Sequence, residues 1–211
     1  MAEERNPDTR QRLLNAAIGV FAEFGYEAAT VREICRRADA NVAAVNYHFG
    51  DKKSLYGEIF DTVFAALRQY RSAFLPRSAP PEERLATYVR SFFEELYYCE
   101  EEDPNSTSIN TIYLMEMVRP TEVLDRIVSD YIAADAEELH DIIAELLGKG
   151  VDEMTRLNCA SSLVGQVLYY YHAQPLIERL HPDLPPIERR IDELIDHVVQ
   201  FSLAGIKSYQ S

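Results

Sequence analysis

Residues 30–53, TVREICRRADANVAAVNYHFGDKK, contain two short helical patterns joined by a turn, followed by the start of a third. The first pattern begins at Thr30, whose hydroxyl can cap a helix. Glu33 lies three positions later and can bond back to the Thr30 amide, which completes the arrangement called a capping box. Apolar residues then recur at helical spacing, at Val31, Ile34, Cys35 and Ala38.

The turn between the two patterns contains Asp39 and Asn41, residue types that tolerate turn conformations, and Asn41 can cap the next helix. We expect that second helix to end at Phe49, where Gly50 interrupts it and Asp51 caps a third helix. Two helices of about two turns each, joined by about 3–4 turn residues, form a helix-turn-helix. In proteins that read DNA, the second helix of this unit lies in the major groove.

The composition is that of a soluble globular chain. It has 211 residues, of which 47% are hydrophobic and 27% are charged. No run approaches the roughly 18 apolar residues that suggest a membrane span, and the polar N-terminus does not resemble a secretory signal. Three widely spaced cysteines, Cys35, Cys99 and Cys159, favour reduced thiols, with Cys35 as a small core residue or a redox sensor. We therefore expect a cytoplasmic protein that does not enter a membrane.

The formal net charge of −14 is unevenly distributed along the chain. Residues 1–56 carry eight basic and eight acidic groups, so residues 57–211 carry the whole excess of acid. Charges are screened beyond roughly 8–10 Å at physiological salt, so the acidic remainder does not prevent phosphate contacts at the neutral N-terminal segment. This distribution is compatible with specific DNA binding and predicts weak non-specific binding.

Helical periodicity continues through the rest of the chain, and no segment shows the alternation of a strand over more than a few residues. With the two short helices, the predicted segments give about nine helices: 8–25, 52–74, 82–100, 108–118, 121–148, 152–172 and 187–207. The prediction is an all-α fold with an N-terminal three-helix helix-turn-helix DNA-binding domain (residues 1–51). A C-terminal helical bundle (residues 52–211) follows.

The sequence resembles the TetR family of transcriptional regulators. The resemblance lies in TVREI (30–34), VNYHF (45–49) and KKSLY (52–56), in particular the pattern Tyr-His-Phe-x-x-Lys-x-x-Leu-Tyr. Segments 119–121 and 161–171 resemble the CecR-like branch of that family. The chain departs from the family at Asp39, where Gly is usual. It also departs at the start of the second helix, where Val42 and Ala43 replace the common Lys or Arg.

The resemblance implies the DNA contacts. Thr30, Tyr47, His48 and Lys52 would contact phosphates and fix the register on the duplex. Asn46 would pair with an adenine, and the apolar start of the helix would contact thymine methyl groups. The residues that would face base edges are Asn41, Val42, Ala44 and Asn46, and Ala43 completes the predicted DNA-binding set. A metal or catalytic role for His48 is disfavoured because no Cys, His or Asp lies at ligand spacing, and no cofactor is expected.

The resemblance also implies near-palindromic double-stranded operator DNA. A homodimer is expected on it, because one reading head buries too little surface to bind tightly. Two heads must lie about 34–36 Å apart, or a multiple of that distance. The last two long helices of each protomer would form the interface, packing as a four-helix bundle. The alternative is that the apolar stripes of these helices face only the core of their own protomer. The interface residues would be Leu157, Val164, Val167, Leu168, Ile191, Leu194, Val198 and Phe201.

The resemblance further implies a pocket for an unknown small-molecule effector, which the CecR-like segments suggest is hydrophobic. Aromatic and methionine side chains at helical spacing could line it, or could be ordinary core. The candidates are Phe64, Phe92, Phe93, Tyr97, Tyr113, Met115, Met117, Tyr169 and His172.

The hypothesis is a ligand-responsive repressor, with an activator on the same scaffold as the alternative. A second alternative is an all-helical enzyme. It is disfavoured because the sequence shows no cluster of acid–base or metal-binding groups, no nucleophile motif and no Gly-rich phosphate loop. The third is a helical binding protein that has lost DNA binding, which the presence of Tyr47, His48 and Lys52 disfavours.

Overall fold

The computed structural model describes residues 8–70, 75–102 and 105–210, and every regular element in these ranges is helical, so the all-α prediction is confirmed. The elements are α1 (Asp8–Ala28), α2 (Val31–Ala38), α3 (Val42–Phe49), α4 (Lys52–Tyr70), α5 (Pro81–Glu102), α6 (Ser106–Val118), α7 (Val123–Ile127), a π-helical turn (Val128–Ile132), α8 (Ala133–Leu147), α9 (Glu153–His172), α10 (Gln174–Leu180), a 3₁₀ turn (Ile187–Arg189) and α11 (Ile191–Lys207). None of the helices within the described ranges is long and apolar enough to cross a membrane.

The chain divides into two compact units. The N-terminal unit combines Met1–Leu67 with Glu102–Tyr131, and the C-terminal unit combines Arg68–Glu101 with Ile132–Ser211. The described parts of the N-terminal unit therefore include α6 and α7 as well as the first three helices and most of α4. The functional boundary between residues 51 and 52 stays a prediction.

In the N-terminal unit, α1 packs against α2, α3 and α6. Its apolar stripe is covered at Leu13, Ala17 and Phe21, which have no exposed surface, whereas Phe24 at its end is 44% exposed. Gly25 interrupts the helix with φ 73° and ψ 170°, a backbone conformation that a side chain would strain. The predicted break at Gly25 is therefore present, and one further turn continues to Ala28.

The helix predicted from Thr121 to Gly148 is interrupted. A π-helical turn at Val128–Ile132 separates α7 from α8, and Gly148 ends α8 at φ 79°. A π turn places one additional residue in the helical repeat, and such turns are rare single features within α-helices. Apolar periodicity does not reveal one, because a periodic pattern is matched to a continuous helix of 3.6 residues per turn.

One further prediction at the C-terminal end was wrong. Helix α9 ends at His172 as expected, and Pro175 lies in the first turn of a separate short helix, α10, where proline is tolerated because that N–H has no helical partner. The last helix was expected to start at Ile187, but the chain forms a 3₁₀ turn there and α11 begins at Ile191.

The core of the C-terminal unit is formed by residues of α5, α8, α9 and α11, and the last three of these helices pack against one another. A charged side chain lies buried in this unit: Arg84 donates to Glu138 at 2.8 Å and to Glu145 at 2.7 Å. A buried guanidinium needs such partners, because an unpaired buried charge is costly.

Candidate DNA-binding site

The N-terminus of α2 is capped as the sequence predicts. Thr30 has an extended backbone, and its hydroxyl accepts a 3.2 Å hydrogen bond from the Glu33 N–H. The second hydrogen bond of the capping box, from the Thr30 amide to the Glu33 carboxylate, does not form. The Glu33 carboxylate accepts instead from Arg36 at 2.7 and 2.9 Å and from Arg37 at 2.8 Å.

These ion pairs occupy most of the positive charge of α2. Arg37 also donates to Glu23 at 2.6 Å, so each of the two arginines has a carboxylate partner. The hydrogen bonds from Arg36, then from Arg37, lower the pKa of Glu33 from 4.5 to about 2. The surface beside the turn is therefore not strongly basic, in agreement with the neutral charge of the N-terminal segment.

The turn between α2 and α3 contains Asp39 in the left-handed conformation, at φ 48° and ψ 53°. The Asp39 and Ala40 amides donate to the carbonyl of Cys35, which closes the end of α2. Asp tolerates this conformation better than most residues, so the turn keeps its shape without the usual Gly. Cys35 itself is buried, which raises the pKa of its thiol and fits the core interpretation rather than a reactive one.

Helix α3 presents an exposed face made by Val42, Ala43, Asn46 and Tyr47. Tyr47 has 85% of its surface exposed, whereas Val45 on the opposite side is completely buried. The capping oxygen of Asn41 accepts from the Ala43 N–H at 3.0 Å. A base contact by Asn41 would therefore have to use its amide nitrogen.

Two predicted DNA contacts of α3 are less accessible. Ala44 and His48 are half-buried, and the His48 ring meets the Tyr47 ring edge to face at 4.9 Å. Phe49, at the end of α3, is also half-buried, with the Arg10 guanidinium 5.1 Å from its ring centroid. A cation over the ring face lets an aromatic residue remain partly exposed.

Lys52 begins α4 and is also half-buried. Its ammonium lies 4.4 Å from the ring centroid of Tyr26 and donates to the Glu27 carbonyl at 3.4 Å. Burial, followed by the charges of Glu27 and Asp51, raises the pKa of Tyr26, so its ring stays neutral at physiological pH. Sequence reasoning did not identify Tyr26, because nothing in its spacing indicates a contact with Lys52.

Helix α4 is joined to the segment 116–131 along one side. Lys53 pairs with Glu122, and Tyr56 donates to Glu116 at 2.9 Å. Asp61 accepts from Arg126 and from Tyr131, and the Tyr131 ring stacks on Phe64 at 4.3 Å. The helix that follows the helix-turn-helix is thus fixed to α6, α7 and the π-helical turn by polar and aromatic contacts.

The predicted interface residues divide into two groups. Leu157 and Phe201 are exposed, and Val164 and Leu168 are half-buried. The other four belong to the core of their own unit, as the alternative interpretation allowed: Val167, Ile191, Leu194 and Val198. An interface on α9 and α11 stays a prediction and would have to use the first group.

The predicted pocket residues also divide. Phe64 is buried in the N-terminal unit, which also contains Tyr113, Met115 and Met117 of α6. The C-terminal unit contains the other five: Phe92, Phe93, Tyr97, Tyr169 and His172. Phe93 and Tyr97 are core residues, Tyr169 is exposed, and burial lowers the pKa of the half-buried His172.

A cavity of about 230 Å³ lies between α5 and α11 in the C-terminal unit. It is lined by Ala86, Thr87, Arg90, Ile195, Asp196, Val199 and Gln200, none of which was a predicted pocket residue. The effector-pocket assignment therefore stays a prediction. No group of three or more His, Cys, Asp or Glu side chains that could hold a metal ion occurs in the described part of the chain.

A capped helix-turn-helix with an exposed second helix defines a DNA-binding protein class, and comparison with known families agrees. The family described as "Bacterial regulatory proteins, tetR family" matches residues 13–59. The family described as "HTH-type transcriptional dual regulator CecR, C-terminal domain" matches residues 81–206, more than half of the chain. The chain belongs to the TetR family of transcriptional regulators, in the branch that has the CecR-type C-terminal domain.

Individual relatives are distant. The chain is 23% identical to the transcriptional dual regulator CecR of Shigella flexneri over 177 residues, covering 79% of this chain and 77% of that one. It is 28% identical to the repressor NicS of Pseudomonas putida over 90 residues, 43% of this chain and only 42% of NicS. These relatives are regulators rather than enzymes.

A solved structure has the same fold. The regulator FadR of Bacillus subtilis, crystallised with stearoyl-CoA, superposes with a TM-score of 0.59 at 15% identity, covering 90% of this chain and 97% of FadR.

Proposed function

We propose that this chain is a cytoplasmic, dimeric repressor that binds a near-palindromic operator and is released by a small hydrophobic effector. The observation that carries the proposal is the exposed face of α3, where Val42, Ala43, Asn46 and Tyr47 are free of the core. An amide and small apolar side chains suit adenine and thymine methyl groups in the major groove. Thr30 and Lys52 flank this face as phosphate contacts.

The test is fluorescence anisotropy with a labelled duplex from the region directly upstream of the protein's own gene. We expect specific, salt-dependent binding at about 100–200 mM salt. Asn46→Ala should cost about 1–3 kcal/mol and relax the preference at one base pair. Asn158→Ala, an exposed asparagine on α9, is the matched control and should bind like the wild type.

Tyr47→Ala should weaken binding to all sequences alike, because its proposed partner is a phosphate. Tyr209→Ala removes another exposed tyrosine outside the site and serves as its control. If neither Asn46→Ala nor Tyr47→Ala changes the affinity, or if the wild type shows no specific binding, the proposed function is wrong.

The proposed dimer rests on the exposed side chains of α9 and α11. Leu157 is 43% exposed and Phe201 is 62% exposed, and apolar residues of this size favour burial in a partner. Sedimentation of Leu157→Glu and Phe201→Glu should show monomers, and DNA binding should be lost with dimerisation. Leu184→Glu, a comparably exposed leucine outside these helices, should stay dimeric. Unchanged dimers in the first two variants would exclude this interface.

The proposed effector class rests on the family branch and on the FadR structure with stearoyl-CoA. Adding stearoyl-CoA to the protein–operator complex should lower the anisotropy, because a ligand that favours the unbound head arrangement shifts the population toward it. A long-chain alkyl sulfate at the same concentration controls for detergent effects. A promoter–reporter strain separates repression from activation: deleting the gene should raise reporter expression, and a fall would favour the activator.

A further inference from the structure

Lys52 lies against an aromatic ring rather than extending freely into solvent. Its ammonium is 4.4 Å from the Tyr26 ring centroid and 3.4 Å from the Glu27 carbonyl oxygen. A cation over the face of a tyrosine is attracted by the ring electrons. An ammonium has three donors, so one bond to Glu27 leaves two for another acceptor.

The Tyr26 ring packs against two other aromatic rings. Its centroid is 4.8 Å from that of Tyr56 and 6.1 Å from that of Phe21. Tyr56 is 2% exposed and Phe21 is fully buried, so both belong to the core of the N-terminal unit. Tyr26 is therefore a rigid surface between the core and the ammonium.

We infer that Tyr26 is a positioning residue for DNA binding: its ring holds the Lys52 ammonium ready for a backbone phosphate. The inference rests on the proposed function, which assigns Lys52 to a phosphate. A free lysine side chain loses considerable rotamer freedom when it binds, and a pre-positioned one loses less. Tyr26 contributes to affinity without itself touching DNA.

A purely structural role makes different predictions. Lys52 could simply satisfy the Glu27 carbonyl near the end of α1, where a cation is favourable. In that case Lys52→Met and Tyr26→Leu would lower the thermal stability, while the salt dependence of DNA binding would stay the same. The salt slope therefore separates the two roles, because it counts the phosphates that the protein neutralises.

The experiment measures DNA affinity of the full-length protein at several salt concentrations, with the labelled upstream duplex and a scrambled duplex. Lys52→Met should reduce the slope of log K against log salt by about one per protomer. Tyr26→Leu should weaken binding about two- to fivefold per protomer at every salt concentration, because Lys52 still neutralises its phosphate but is no longer pre-positioned. Tyr26→Phe keeps the ring face and should restore the affinity. The double variant Tyr26→Leu/Lys52→Met should bind no more weakly than Lys52→Met.

Phe24→Leu is the matched control. Arg37 lies 5.5 Å from the Phe24 ring, but its guanidinium is already paired with Glu23 and Glu33. Removing that ring should leave the salt slope unchanged. Circular dichroism melts of every variant distinguish a positioning effect from unfolding.

The possible outcomes distinguish a failure of the proposed DNA-binding function from a failure of the inference about Tyr26 alone. If the wild type does not bind specifically, the proposed function fails and the inference falls with it. If the wild type binds, but Tyr26→Leu keeps the full affinity or adds its loss to that of Lys52→Met, only the inference is overturned. The same holds if Tyr26→Phe behaves like Tyr26→Leu.

Discussion

The hydroxyl of Tyr56 in α4 donates a 2.9 Å hydrogen bond to the carboxylate of Glu116 in α6, and both side chains are buried. The other Glu116 oxygen accepts from the Thr121 amide at 2.7 Å and from the Thr121 hydroxyl at 2.9 Å. A buried carboxylate is stable only with such donors, because desolvation penalises it. Glu116 therefore connects the helix after the DNA-binding unit to the junction between α6 and α7.

Removing the Tyr56 hydroxyl should destabilise the protein. Tyr56→Phe keeps the ring packing against Phe21 and Tyr26 but removes one of the donors to Glu116. A hydrogen bond to a charged group is worth about 1.5–3 kcal/mol, so the free energy of unfolding should fall by about that amount. Urea denaturation measures it, with Tyr209→Phe, at an exposed tyrosine outside this contact, as the control. No change in the urea midpoint would show that this bond contributes nothing.

Stability should also fall at alkaline pH through Tyr56. Burial, followed by the charge of Glu116 and the hydrogen bond to it, raises the pKa of Tyr56 above its usual value of 10.0. The unfolded chain then loses this proton as the pH passes about 10 while the folded chain keeps it. The contribution is fully present below pH 10 and is lost progressively above it. Thermal melts of the wild type and Tyr56→Phe between about pH 8 and 11 should converge as the pH rises, and parallel curves would contradict the assignment.

Glu33 should make stability depend on acid pH in the opposite sense. Its pKa is about 2 in the folded protein against an ordinary value of 4.5, chiefly because Arg36 and Arg37 donate to it. The contribution is present above pH 4.5 and is lost as the pH falls from 4.5 toward 2. Glu33→Gln should flatten this part of the stability profile, as read from melting temperatures across the range. Glu82→Gln, an exposed glutamate in the first turn of α5, should leave it unchanged.

The backbone conformation of Asp39 should make that position sensitive to substitution. Asp39→Ala places a residue with no local hydrogen-bonding side chain at φ 48°, which should cost about 1 kcal/mol. Asp39→Gly removes the strain but increases the entropy of the unfolded chain by a similar free energy, so its stability should be close to that of the wild type. Urea midpoints compare the two, and equal destabilisation by Ala and Gly would show that the backbone angle is not the cause.

The π-helical turn should set the direction of Tyr131, which donates to Asp61 and stacks on Phe64 at 4.3 Å. Deleting the exposed Ser129 would allow a regular α-helix and rotate the helix on one side of the deletion by about 100° relative to the other. That rotation should separate Tyr131 from α4 and lower the urea midpoint. Ser129→Ala keeps the chain length and should have little effect. A deletion variant as stable as Ser129→Ala would contradict this role.

Much of the DNA-binding unit is determined locally, which is why the sequence predicts it. Thr30, Asn41 and Asp51 each cap a helix through an oxygen that accepts from an amide within three residues. Capping needs only neighbouring residues, so the bounds of α2 and α3 follow from spacing. The family resemblance depends on the same short segments.

The sequence by itself thus determined the all-α class, the helix-turn-helix and its turn at Asp39. Only the tertiary structure decided which members of each apolar stripe are core, as with Val167 buried and Leu157 exposed on the same α9. It also decided the partners of Tyr26 and Glu116, because contacts between Tyr26 and Lys52 or Glu116 and Tyr56 join residues far apart in the chain. Helical periodicity specifies which side of a helix is apolar. It does not specify which distant side chain the folded chain brings against it.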